Sequence, residues 1–182
     1  MDRYYYHGIS DYIDERTLDI MLKIMNEGIL TRNNVRDTGK EYNHVCLYKN
    51  EDGFDYSDPD FFFDSARKGW IDNCFFFIVS PEVEAQKAGF DQTNLVDEWR
   101  CYDNIYIDKI VGIALPFDVI DEYRKKFPDV INPSFDEKLK KIIDIATRRG
   151  WKIENSNEDG LCDRLDSELS RQKEETKGDS SK

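Results

Sequence analysis

Only two histidines occur among the 182 residues, His7 and His44. Neither has an H-x-x-x-H partner or a clustered carboxylate beside it, so a histidine-based metal site is not expected. Cysteine is equally sparse: Cys46, Cys74, Cys101 and Cys162 stand far apart, with no C-x-x-C pair. That spacing argues against zinc and for reduced, buried thiols in a cytoplasmic protein. No stretch reaches the ~18 apolar residues of a membrane helix. The opening MDRYYYHGISDYIDE carries no long apolar core and no small-residue cleavage site, so the chain reads as soluble, unexported and without a membrane partner. Basic charge is in deficit. Lys and Arg number 26 against 38 Asp and Glu, a net charge of -12 that repels the phosphates supplying most non-specific nucleic-acid affinity. Neither G-x-G-x-x-G nor G-x-x-x-x-G-K-[ST] occurs, which excludes a Rossmann dinucleotide loop and a P-loop.

What is present suffices for one core. Hydrophobic residues make up 39% and aromatics 13%, enough to exclude global disorder in a chain of single-domain length. The expected organisation is one domain over 1–153 and an acidic, largely disordered tail over 154–182, where nine acids and five bases surround a Leu161, Leu165, Leu169 stripe.

Periodicity supplies the elements. Arg3 to His7, rich in tyrosine, suits a strand stopping at Gly8. Leu18, Met21, Leu22 and Met25 predict a helix over 14–27, with Asp14 as N-cap and Gly28 just past its end. His44 to Tyr48 follows as a strand, and a short helix is expected near Asp58 to Gly69. The unbroken run Cys74 to Val79 reads as a strand buried on both faces, in the middle of the sheet. Residues 80–97 look loop-like; Glu98 to Tyr102 and Val111 to Leu115 look like strands. Two helices, Phe117 to Phe127 and Ser134 to Arg149, precede a last short strand, Trp151 to Ile153. Ser134 and Glu137 have capping-box spacing. Strands and helices in this irregular alternation predict an α+β fold.

Two positions stand out chemically. Gly8 after His7 allows close approach to a backbone that offers both an N–H and a C=O to an amide-bearing ligand. Glu98 lies between Asp97 and Trp99-Arg100, where an aromatic ring can shield it and an arginine can hold it ionised. The bland readings are a structural histidine at a strand end and a solvated loop edge. The tyrosines Tyr4, Tyr5, Tyr6 and Tyr12 could stack single-stranded bases, though edge-strand packing explains them as well and the net charge opposes phosphate.

Tyr5-Tyr6-His7-Gly8-Ile9-Ser10, a helix closing in Asn26-Glu27-Gly28, the strand Val45 to Tyr48, and Glu98-Trp99-Arg100 before Ile105 to Pro116 together resemble the ADP-ribosyltransferase superfamily. The similarity is to its diphtheria-toxin and PARP-like branch, with a His-Tyr-Glu triad, and covers about residues 4 to 116. It implies a split, mainly antiparallel sheet with flanking helices, and NAD as the substrate. Glu98 would be the catalytic carboxylate, His7 would bind a ribose and the Gly8 backbone the nicotinamide carboxamide. Tyr48 and Tyr56 are both candidates for the ring that stacks on nicotinamide. The acceptor would be an unidentified protein or nucleic acid.

The chain departs from the motif in two ways. Ile9 follows Gly8, so Ser10 comes one place late, and Val96 stands where a second acid would precede Glu98. An early catalytic Arg with S-T-S and E-x-E, the arginine-specific pattern, is absent. Two alternatives remain open: a catalytically inactive nucleotide-binding or protein-interaction module of the same fold, and an RNA 2′-phosphotransferase-like or nuclease enzyme drawing on Arg3, Arg32 and Arg36.

Overall fold

In the computed structural model the described residues are 4–10, 13–31, 44–49, 75–88 and 98–156, with 10 and 98 described in backbone only. Tyr56, the expected helix near 58–69, Cys74, Cys162, Tyr12, the three front-end arginines and the tail beyond 156 lie outside them. The fold is α+β: among the described residues three α-helices accompany one mixed, mostly antiparallel seven-stranded sheet.

The strands are β1 (Tyr5–Ser10), β2 (Val45–Lys49), β3 (Phe75–Val79), β4 (Gln86–Lys87), β5 (Glu98–Cys101), β6 (Ile110–Leu115) and β7 (Lys152–Asn155), in the spatial order β4-β5-β2-β1-β3-β6-β7. All ladders are antiparallel except β6–β7. That parallel pair needs a long connection, and helices α2 (Phe117–Lys126) and α3 (Pro133–Arg148) provide it.

Alternation along the strands divides the sheet into two faces. Tyr5, Leu47, Phe75, Phe77, Val79, Ile113 and Leu115 join Leu18, Met21 and Met25 of α1 (Glu15–Glu27) and Phe135, Leu139, Ile142 and Ala146 of α3 in one core. β3 is an interior strand beside the central β1, and all five of its residues are buried, as its unbroken apolar run predicts.

Asp14 caps α1 by accepting from Thr17 N at 2.8 Å, and Gly28 ends it at φ 84. A Cβ at Gly28 would collide with the Ile105 carbonyl. That close approach lets Ile29 and Ile105 exchange two backbone hydrogen bonds, 2.9 and 2.8 Å, tying the end of α1 to the segment after β5.

Several expectations need correction. β1 runs on through Gly8 to Ser10 because β3 pairs with it there and the strand bulges. A short strand, β4, stands within the expected loop; two polar residues carry no periodic signal. α3 is capped by Asn132, whose side chain accepts from Phe135 N at 2.9 Å with Pro133 in the first turn. Ser134 donates instead to Glu15 Oε2 at 2.7 Å. The last strand passes Ile153: Glu154 and Asn155, read from sequence as the start of the tail, belong to β7, Asn155 Oδ1 accepts from Phe117 N at 3.2 Å, and Ser156 is fully buried.

Candidate active site

The β1–β2 ladder is short. Tyr5 pairs with Lys49 and Tyr6 with Tyr48, and the register stops there, whereas β1 and β3 pair over five positions. Just past the break, His7 Nδ1 lies 2.9 Å from the Cys46 carbonyl of β2. A carbonyl can only accept, so Nδ1 carries the proton and donates, leaving Nε2 as the acceptor of the neutral ring. Burial pushes the His7 pKa below its ordinary value, against a smaller opposing effect of the Cys46 bond. His7 is thus a neutral, oriented imidazole just beyond the last β1–β2 register pair.

Across β2, Tyr48 pairs directly with residue 98, the first of β5. Directly opposed residues share a face, so Tyr48 and position 98 are immediate neighbours. Three of the residues singled out in the sequence, His7, Tyr48 and Glu98, therefore come from the adjacent strands β1, β2 and β5 despite their separation along the chain. By alternation His7 and Tyr48 belong to opposite faces. The imidazole nonetheless reaches β2, through the Cys46 carbonyl.

Gly8 pairs with Phe76 and Ser10 with Phe75. Two residues of β1, Ile9 and Ser10, thus oppose one of β3, which is a β-bulge. The bulge absorbs Ile9 as the extra residue. Ser10 consequently occupies the register position that a residue directly following Gly8 would take in an unbulged strand.

The face carrying Tyr48 has further groups that the sequence reading passed over. Tyr6 donates to Glu154 Oε2 at 3.3 Å and stands edge-on to Phe76, ring centroids 6.4 Å apart. Burial, and next the Glu154 charge, push the Tyr6 hydroxyl far above its ordinary pKa. Burial also raises the Glu154 carboxyl, while its bond from Tyr6 and the nearby Lys152 charge oppose that rise. Lys152 Nζ lies 4.1 Å from the centre of the Tyr4 ring, a cation–π distance. No local signal marks Glu154, because parallel pairing with β6 brings it to this face.

On the other face, Lys49 Nζ lies 4.9 Å from the Tyr5 ring centre and 5.0 Å from that of Trp99. The indole N–H of Trp99 is the one buried side-chain polar atom without a hydrogen-bond partner among the described residues. Cys101 is buried and Cys46 half-buried, and burial raises the Cys101 pKa. Among the described residues no three His, Cys, Asp or Glu side chains gather to hold a metal ion, and no helix is long and apolar enough to cross a membrane. No family model, curated protein or solved structure matches the chain.

Proposed function

We propose that this protein is an NAD-dependent ADP-ribosyltransferase acting on an unidentified macromolecular acceptor, protein or nucleic acid. The reading rests above all on the pairing of Tyr48 with residue 98 one strand away from His7, on the adjacent strands β5, β2 and β1. A His-Tyr-Glu set is drawn from three distant points of the sequence, and here those points lie on consecutive strands, although alternation turns His7 to the face opposite Tyr48. The bulge at Ile9 adds support, since it removes the objection that Ser10 comes one place late. The short β1–β2 ladder is in keeping with a sheet of the split type.

In the transfer, the bond between the ribose C1″ and the nicotinamide nitrogen breaks and nicotinamide leaves with the electron pair. The ribose passes through an oxocarbenium-like state, and the acceptor forms the new bond to C1″ while losing a proton. The Glu98 carboxylate stabilises the developing positive charge and holds the 2′-hydroxyl, a contribution of several kcal/mol for an oriented charge in a sheltered site. His7 Nε2 accepts from a ribose hydroxyl, a task for which a ring held neutral is suited. The Gly8 backbone meets the carboxamide and Tyr48 stacks on the nicotinamide ring.

Incubating the protein with NAD labelled in the adenosine half and a cell extract tests the reading. Label on protein or nucleic acid, with release of free nicotinamide, is expected. Intact NAD after prolonged incubation, together with calorimetric binding, would replace the enzyme by a nucleotide-binding module.

A further inference from the structure

β7 stands at one end of the seven-stranded order, so one of its sides faces away from the sheet. Which backbone groups lie on that side follows from the ladder on the other. Ser156 N donates to Leu115 O at 2.9 Å, and in a parallel pair the residues that bond the neighbour alternate, so Lys152 and Glu154 also turn their N–H and C=O toward β6. The close approach at Gly112 agrees: a Cβ there would lie 2.7 Å from the Lys152 carbonyl oxygen. Ile153 and Asn155 therefore turn theirs outward. Among the described residues no strand meets them on that side.

The edge is also held in place. Trp151 N donates to Ala146 O at 3.0 Å just before the strand, and Asn155 Oδ1 accepts from Phe117 N at 3.2 Å at its end. Lys152 and Ile153 are exposed, Ile153 by 37%. An open, fixed edge is a template for a further strand.

We propose that β7 pairs antiparallel with β7 of a second copy of this chain, about a two-fold axis at Ile153. Such an axis sets one residue opposite itself, and the sequence Lys-Ile-Glu-Asn leaves few choices. An axis at Lys152 opposes two lysines and one at Glu154 two glutamates, and both residues already direct their backbone groups to β6. An axis at Asn155 sets Glu154 against Ser156, which is fully buried. At Ile153, the outward N–H and C=O exchange two hydrogen bonds with their own counterparts, and Lys152 comes opposite the partner's Glu154 on both sides of the axis, at about 5 Å between Cβ atoms.

Both charged groups can serve this pairing and keep their present contacts. Lys152 Nζ lies 4.1 Å from the Tyr4 ring centre, which takes one side of an ammonium that has three donors. Tyr6 donates to Glu154 Oε2, and a carboxylate has a second accepting oxygen. A lysine on an edge discourages pairing with strands in general. Here it gains a counter-charge when the strand meets a copy of itself. Four residues make a small contact, so the dimer is a weak one, forming at concentrations on the order of 100 μM.

Sedimentation velocity on the full chain over about 5 to about 500 μM tests this, in ~0.15 M salt, where the -12 charge of each copy is screened beyond about 8 Å. The apparent mass should rise from 21.5 kDa toward twice that value. Lys152→Glu and Glu154→Lys each set like charges opposite one another and should weaken self-association at least about 10-fold. An equimolar mixture of the two variants opposes unlike charges in both pairs, and should associate within about three-fold of wild type. Ile153→Pro deletes the outward N–H while leaving the β6 ladder its bonds, and should abolish the dimer. Circular dichroism on each variant establishes that it is folded; should Glu154→Lys not fold, Lys152→Glu, which changes an exposed side chain, and Ile153→Pro decide. A monomer throughout the range, a dimer that survives Lys152→Glu and Ile153→Pro, or a mixture of folded variants that stays monomeric overturns the proposal.

Discussion

At the scale of single residues, the neutral state of His7 has a consequence for pH dependence. Its folded pKa lies below the ordinary 6.5 because burial penalises the charged ring. Between that folded value and 6.5 the unfolded chain binds more protons, so the native state loses stability as pH falls through this window and keeps it fully above. The imidazole should titrate by NMR with a midpoint under 6.5. His7→Gln, which can still donate to the Cys46 carbonyl, should show a weaker fall in melting temperature between neutral pH and the folded midpoint. An imidazole titrating at 6.5 or higher, or the same acid dependence in His7→Gln, would contradict the account. The residue scale is also where the sequence is most informative about the site. His7, Gly8 and Glu98 are visible from local context, whereas Tyr6 and Glu154 are not. Tyr6 reads as one of three packed tyrosines, and Glu154 as the first residue of an acidic tail, until β7 brings it beside the Tyr6 hydroxyl.

Among the elements, α1 is fixed at both ends by contacts that can be tested separately. At its start, Glu15 accepts from Ser134 Oγ at 2.7 Å, Asn132 Nδ2 at 3.0 Å and Lys138 Nζ at 2.9 Å, which joins the first turns of α1 and α3. The Lys138 bond, then those from Ser134 and Asn132, lower the Glu15 pKa to about 2. A lowered carboxylate pKa gives stability that is present above the unfolded value and is lost as pH falls from the usual carboxylate range toward about 2. Glu15→Gln should therefore flatten that part of the acid unfolding profile; an unaltered profile would show the cluster to be energetically silent.

At the far end of α1, Arg149 Nη1 donates to the Met25 carbonyl at 2.8 Å, satisfying one of the last acceptors of the helix. Gly28 then combines a positive φ with contact against the Ile105 carbonyl. Gly28→Ala should destabilise the fold by about 1–3 kcal/mol from backbone strain alone, with more from the collision. Urea denaturation showing no loss would contradict that packing.

The elements legible in the sequence are those whose signal is local. α1 has its caps and its apolar spacing, β3 its unbroken apolar run, and β6 its abrupt end at Pro116. β4 is two polar residues that pair with β5 and carry no local signal. The cap of α3 was hidden because Ser134, the stronger local candidate, is drawn to Glu15 on another helix.

For the whole molecule, the strand order is what no local pattern reveals. β1 lies between β2 and β3, β5 returns to pair with β2, and β6 continues on the other side of β3. This order puts positions 7, 48 and 98 on three consecutive strands and makes 48 and 98 direct partners. The α+β class followed from the irregular alternation of strand and helix signals, but the meeting of Tyr48 with residue 98 required the coordinates.

The account stands or falls on the carboxylate that opens β5. The most direct measurement is NAD turnover, read as nicotinamide release, by wild type and Glu98→Gln at equal concentration, with thermal unfolding recorded on both. A fall of at least about 100-fold in turnover, the scale for loss of a transition-state electrostatic partner, with an unchanged melting temperature is the result predicted. Equal turnover by the two proteins would contradict it.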